Sequence, residues 1–159
     1  MEQAFLEMIN QHRGIILKVC RLYEDNSENR RDLFQEIVLQ LWRSYPRFQG
    51  GSKVSTWVYR VALNTAITIF RKTSKSPKTV SIDLGLTLAD FQNSGTDQMQ
   101  MLYSAIDQLN KLEKGLILLY LEDKNYQEMA EITGYTESNV GVKLHRIKNK
   151  LSNILNQKS

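Results

Sequence analysis

Apolar residues recur along this 159-residue chain at intervals of three and four, no stretch alternates with period two, and only two prolines, Pro46 and Pro77, interrupt the pattern. A half-buried strand requires the two-residue period and a helix the 3.6-residue one, so the chain is confined to an all-α fold. Both prolines fall where a helical pattern ends. The spacing predicts a first helix over residues 3–23. It predicts a second over 31–44, with Leu33, Ile37 and Leu41 on one stripe, and a third over 54–72, with Val54, Val58, Val61, Ala62 and Ile69 at helical spacing. YPRFQGGSKVS between the last two is a loop, since Pro46, Gly50 and Gly51 all break helix. TSKSPKTVSIDLGLTLADFQNSGTD is rich in Ser and Thr and reads as a linker with a short turn near Leu86 to Phe91. Further helices are expected over 98–110, 113–123, 125–133 and 137–155. The expected organisation is two small helical domains, 1–75 and 97–159, joined by a flexible linker at 76–96, with a helix-turn-helix in the second.

Net charge is +4, but its distribution says more than the total. Residues 37–82 hold eight Lys or Arg and no acid, residues 83–136 sum to −6, and residues 137–159 sum to +4. Two basic blocks separated by an acidic one suggest two surfaces for anionic partners.

The second basic block contains TESNVGVKLHRIKNKL, residues 136–151. On a helical wheel Val140, Leu144, Ile147 and Leu151 form one stripe that must face a core. Ser138, Val142, His145 and Asn149 lie opposite, spaced 4, 3, 4, with Gly141 at the edge. Lys143, Arg146 and Lys150 flank this face on one side and Lys148 on the other, with no acid there to neutralise them. A thin face of short side chains rimmed by cations suits the major groove, where the short residues reach base edges and the rim reaches phosphates. The preceding YQEMAEITGY supplies a short helix ending at Gly134, which can turn the chain in a left-handed conformation. Thr136 then caps the next helix. Short helix, glycine turn and second helix describe a helix-turn-helix. An ordinary helical hairpin shares the turn but not the cationic rim.

In the first basic block, Trp57, Arg60 and Asn64 fall on one helix face at 3, 4 spacing. Such a set can stack on a base, neutralise a phosphate and read an edge. The competing reading of Trp57 is a core anchor, because aromatic residues near a helix start often pack inward. The helix before it carries Asp32, Gln35, Glu36 and Leu39 on the side away from its apolar stripe. An acidic and amide stripe with one leucine fits a protein-docking face, and an ordinary solvated face has the same pattern.

Several classes are excluded. His12 and His145 are far apart, the single Cys20 has no partner motif, and neither a Ser-His-Asp set nor a phosphate-cradling glycine loop is present. No cofactor or metal is expected, and no enzyme activity: a nuclease would need clustered acids in a block that has none. Ile16, Leu17, Val19 and Tyr23 around Cys20 suggest a buried thiol rather than a reactive one. No apolar run spans a membrane, and MEQAFLEMINQHRG lacks the basic start and apolar stretch of a secretory signal. The expected location is the cytoplasm. The principal rival is a stand-alone helix-turn-helix regulator. A helical scaffold would leave both basic blocks unexplained.

RRDLFQEIVLQLW, FQGGSKVSTWVYRVALN and the stretch from AIDQLNKLEKG to HRIKNKL occur in that order, with the linker between the last two. In these segments the chain resembles a bacterial RNA polymerase sigma factor of the extracytoplasmic-function (ECF) type, over about residues 5–155. They look like that family's polymerase-docking helix, minus-ten segment and minus-thirty-five domain. The resemblance implies a subunit that brings core RNA polymerase to promoter DNA and helps open it, a family often held inactive by an anti-sigma factor. Asp32, Gln35, Glu36 and Leu39 would bind the polymerase. Lys53, Ser55, Thr56, Trp57, Arg60 and Asn64 would meet the melted minus-ten element. Ser138, Asn139, Val142, Lys143, His145 and Arg146 would face the minus-thirty-five element. The chain departs from the family where a basic residue often stands and this sequence has Gly141. It also lacks the acid usual after the loop glycine, reading Gly51-Ser52-Lys53, and the larger set of melting aromatics of the housekeeping sigma factors is reduced to Trp57 and Tyr59. The last departure implies weaker melting and a stricter promoter requirement.

Overall fold

A computed structural model describes residues 2–48, 50, 53–69 and 95–157. Every regular element among them is helical, and the chain divides into two compact units, Met1–Asn93 and Ser94–Ser159. Most of the expected linker, 76–94, lies outside the described residues, as do the expected turn near Leu86 to Phe91 and the end of the third predicted helix.

The first unit contains α1 (Glu2–Gln11), α2 (Arg13–Tyr23), α3 (Ser27–Ser44) and α4 (Val54–Asn64), with a 3₁₀ turn at Tyr45–Arg47 and a π-helical turn at Thr65–Ile69. Helices α2, α3 and α4 pack against one another. Ile16, Val19, Leu33, Ile37, Leu41, Val58 and Ala62 of these helices are fully buried, as is Ile9 of α1. Residues 3–23, expected as one helix, are two, because His12 leaves helical geometry at φ −113°, ψ 16°. Its ring Nδ1 lies 2.9 Å from the Met8 carbonyl oxygen, and Gly14 just beyond is a poor helix former. Helix α3 starts earlier than apolar spacing indicated. Asn26 caps it, its side chain accepting from the Asn29 N–H at 2.8 Å, so the polar SENR is the first turn, which suits polar residues. Buried Arg30 ties that turn back to α2 through its Nε–H and the Glu24 carbonyl, 2.8 Å away. At the end of α4, the hydroxyls of Thr65 and Thr68 donate to the carbonyls four residues earlier, at 2.7 and 2.6 Å. Such back-bonding accompanies distorted helix, and here the ladder widens to π.

The second unit contains α5 (Asp97–Ile106), α6 (Lys111–Leu121), α7 (Tyr126–Thr133) and α8 (Glu137–Gln157). Capping boxes set two of the starts. Asn110 exchanges hydrogen bonds with Glu113, and Asn125 with Glu128, each side chain reaching the other's backbone N–H at 2.8–3.1 Å. Helix α6 stops at Leu121, and Asp123 follows at a left-handed φ of 62°. Helix α8 packs against α5, α6 and α7, burying Val140, Leu144, Ile147 and Leu151.

Cys20 is buried in α2. Burial pushes its thiol well above the ordinary range, Glu24 adds to the rise, and Arg30 opposes it. The thiolate is the reactive form, so native protein at pH 8 should label with a disulfide reagent far more slowly than protein in guanidinium. Rapid stoichiometric labelling without denaturant would contradict this burial.

Candidate nucleic-acid interface

The turn between α7 and α8 is built as glycine chemistry requires. Gly134 has φ +86°, ψ 0° and donates its N–H to the Ala130 carbonyl at 2.9 Å, a left-handed C-cap that a side chain would strain. Two residues on, the Thr136 hydroxyl accepts the Asn139 N–H at 3.1 Å and opens α8. With the stripe of α8 sealed in the core, Ser138, Asn139, Val142, His145 and Arg146 are exposed, and Lys143 is half-buried. These six therefore occupy one outward surface. Lys143 places its Nζ 4.9 Å over the Tyr135 ring, which holds the cation at the edge of this surface near the turn.

Two of the flanking cations have partners on α6. Lys150 reaches Glu113 of α6 at 3.2 Å, and Lys148 sits 3.9 Å over the ring of Tyr120. Sequence alone left these charges without a counterpart, because their partners come from a helix some thirty residues earlier. Both lysines remain exposed, and the cations of the flank nearest the turn are Lys143 and Arg146. Gly141 also has a structural reason. A Cβ there would lie 3.2 Å from the Tyr126 ring of α7, so the glycine admits an aromatic against α8 where the resemblance suggests a base-bearing side chain. Tyr126 was not singled out by spacing, since its approach is a tertiary contact.

In the first unit Lys53, Arg60 and Asn64 are exposed and Ser55 is half-buried. Thr56 and Trp57 are buried, at 1% and 7% exposure. The wheel put Trp57 beside Arg60 and Asn64, but its ring does not share their solvent-facing surface. Phe48 stacks on it with centroids 4.7 Å apart and an interplanar angle of 22°, and Tyr45 lies 6.2 Å away. The cluster continues through Phe5, whose centroid is 5.2 Å from Tyr45 and 4.9 Å from Trp42. The aromatics of YPRF thus fold back over α4, and of the two readings of Trp57 the structure has the core anchor. The exposed strip left on α4 is Arg60 and Asn64, with Lys53 at its cap.

On α3, Gln35 is exposed and Asp32 and Leu39 are half-buried. Glu36 is turned inward at 6% exposure, where its carboxylate accepts from the Gln40 side chain at 2.9 Å. The outward part of this stripe is therefore Asp32, Gln35 and Leu39. Among the described residues no group of His, Cys, Asp or Glu is placed to hold a metal ion, and no helix is long and apolar enough to cross a membrane.

Known proteins arrange themselves around the same two units. The family Sigma-70 region 2 matches residues 8–76, and Sigma-70, region 4 matches residues 99–151. The RNA polymerase sigma factor YlaC of Bacillus subtilis is 30% identical over 152 residues, covering 91% of this chain and 88% of that protein. The chain belongs to the ECF sigma factors of the sigma-70 family. An ECF RNA polymerase sigma-E factor of Haemophilus influenzae is 24% identical over 169 residues, covering 96% of this chain and 87% of the relative. Two solved structures share the fold. CnrH in complex with the cytosolic domain of CnrY has a TM-score of 0.70 at 16% identity, covering 100% of this chain and 92% of that one. RpoE in complex with the anti-sigma factor NepR from Bartonella quintana has a TM-score of 0.66 at 18% identity, covering 98% and 96%. In this sigma factor the two helices of the helix-turn-helix begin within the region 4 match, and the Arg60–Asn64 strip and every ring of the aromatic cluster except Phe5 lie within the region 2 match.

The stack on Trp57 yields a direct expectation. In a Trp42→Phe background, Phe48→Ala should shift Trp57 emission to the red. It should also cost about 2 kcal/mol in denaturant unfolding, from lost ring stacking and a partly filled cavity. Unchanged emission would remove Phe48 as the cover of that ring.

Proposed function

We propose that this sigma factor directs core RNA polymerase to specific promoters, docking through α3 of the first unit and presenting α8 of the second to the upstream promoter element. The observation that carries this reading is the surface of α8. Its outward residues from Ser138 to Arg146 are short or cationic, its apolar stripe is buried, and Lys143 and Arg146 are the cations of that stretch, while Lys148 and Lys150, also exposed, have partners on α6. That division matches the division of labour at DNA, where short side chains meet base edges and cations meet phosphates. Ser138, Asn139, Val142 and His145 are the base-facing group in this reading.

In the first unit, Lys53, Arg60 and Asn64 meet the backbone and edges of the melted minus-ten strand. Ser55 stands beside them, and Thr56 and Trp57 hold the helix from beneath. An unstacked base captured at this unit would offset the few kcal/mol that unpairing costs. Asp32, Gln35 and Leu39 form the polymerase-docking face, with Glu36 supporting it through Gln40. Promoter DNA and core polymerase are the partners, and an anti-sigma factor is a third, as the similarly folded RpoE bound to the anti-sigma factor NepR suggests. The protein works in the cytoplasm and performs no catalysis of its own. A stand-alone regulator would have no use for the first unit, which the match to Sigma-70 region 2 covers.

Gel shifts with promoter fragments test the reading. Specific retardation should require core polymerase, whereas tight specific binding by the free protein would favour a stand-alone regulator. Asp32→Ala combined with Gln35→Ala should weaken capture of core polymerase while leaving helix content unchanged, and undiminished capture would dismiss this docking face. Arg146→Ala should reduce promoter use by about 1–3 kcal/mol, unequally across promoter variants if it reads a base. An equal loss on every sequence would make it a phosphate contact.

A further inference from the structure

On the outward face of α8, Val142 breaks the chemical pattern. It is 50% exposed, and no other large apolar side chain of this helix is left exposed. It stands at the centre of the face, four residues after Ser138 and three before His145, with polar or cationic neighbours on its exposed sides. A single exposed valine elsewhere on a protein surface needs no explanation. Here it occupies the line that would run deepest into a groove. Beside it, Gly141 contributes no side chain, and the space next to Gly141 is taken by the Tyr126 ring, itself 43% exposed. No long donor therefore reaches across Val142 from that side. Valine cannot donate or accept a hydrogen bond, and its branched Cβ holds two methyl groups in essentially one rotamer within a helix. In the major groove, the one apolar group that a base pair displays is the C5 methyl of thymine.

We infer that Val142 makes this helix select a thymine in the upstream promoter element, by packing against the thymine C5 methyl in the major groove. The inference rests on α8 being the duplex-reading helix and adds which base chemistry its centre recognises. The bulk of Val142, together with the absent side chain at 141, replaces a hydrogen-bonded contact by an apolar one. Cytosine at the same position lacks the methyl and would place an amino group against the valine without a partner.

The experiment uses the full-length protein with core polymerase. A promoter is selected from a randomised duplex library by transcription. Each thymine of its upstream element, on either strand, is then replaced singly by deoxyuridine, which removes the methyl group and leaves base pairing intact. At one or two positions, transcription by the unaltered protein should fall about three- to fivefold, the value of one buried methyl. Val142→Ser should be indifferent to the same replacement. Uniform indifference of the unaltered protein, an upstream element without thymine, or equal sensitivity of Val142→Ser would each overturn the inference. In those cases promoter-dependent transcription stays intact, and so does the proposed function. If no library member is transcribed in a sigma-dependent way, the proposed function fails and takes this inference with it.

Discussion

A helix in a small domain can bury one face, and the face it buries decides what the other displays. In α8 this constraint is severe. Val140, Leu144, Ile147 and Leu151 are locked into a core built with α5, α6 and α7, leaving the helix no rotational freedom. A turn of the helix about its axis by a single residue's angle would expose part of that stripe and bury cations, at a cost of several kcal/mol. The order of groups along the outward surface, from Ser138 through Val142 to His145, is therefore rigidly presented. Recognition of a repeating lattice of base pairs needs such rigidity, because short side chains cannot search for their partners.

Charge follows from the same constraint. A cation pointing outward beside the apolar stripe lies within reach of neighbouring helices, and those helices determine whether it stays available. Lys150 is taken by Glu113, which also closes the capping box of α6, and Lys148 lies over Tyr120. One carboxylate thus fixes the start of α6 and fastens α8 to it. An exposed pair of this sort contributes at most about 1 kcal/mol, so its larger consequence is geometric: it holds the exposed Lys150 side chain toward α6.

The first unit shows a different use of aromatic residues. Five rings, from Phe5, Trp42, Tyr45, Phe48 and Trp57, form a chain of edge, tilted and stacked contacts that pins the segment after α3 onto the start of α4. Lys53 stands at the N-cap position of α4, at the end of the same connection, without a side-chain capping bond, and Arg60 and Asn64 continue the exposed strip two and three turns further on. A solvent-exposed tryptophan would be free to stack on a base. A tryptophan covered by Phe48 instead gives the strip a stiff base.

Fold class and helix order were legible in the sequence because helical periodicity is a local property, enforced by each helix burying its own apolar stripe. The helix-turn-helix was legible for the same reason, since a left-handed glycine at 134 and a threonine cap at 136 act within a few residues. The start of α3 was misplaced because its first turn is polar and betrays itself by the Asn26 cap, not by apolar spacing. What escaped the sequence was every contact made between elements. Wheel geometry puts Trp57 beside Arg60 and puts Lys148 and Lys150 on the flank of α8, and the sequence pattern alone leaves Glu36 on an open face. Phe48 and the packing of α3 bury Trp57 and Glu36, and Tyr120 and Glu113 give the two lysines partners on α6. The amino-acid sequence determines which face of each helix turns inward, because burial of apolar surface is decided residue by residue. Only the tertiary structure decides which polar and aromatic side chains remain available, because that depends on partners brought close by the packing of helices distant in the chain.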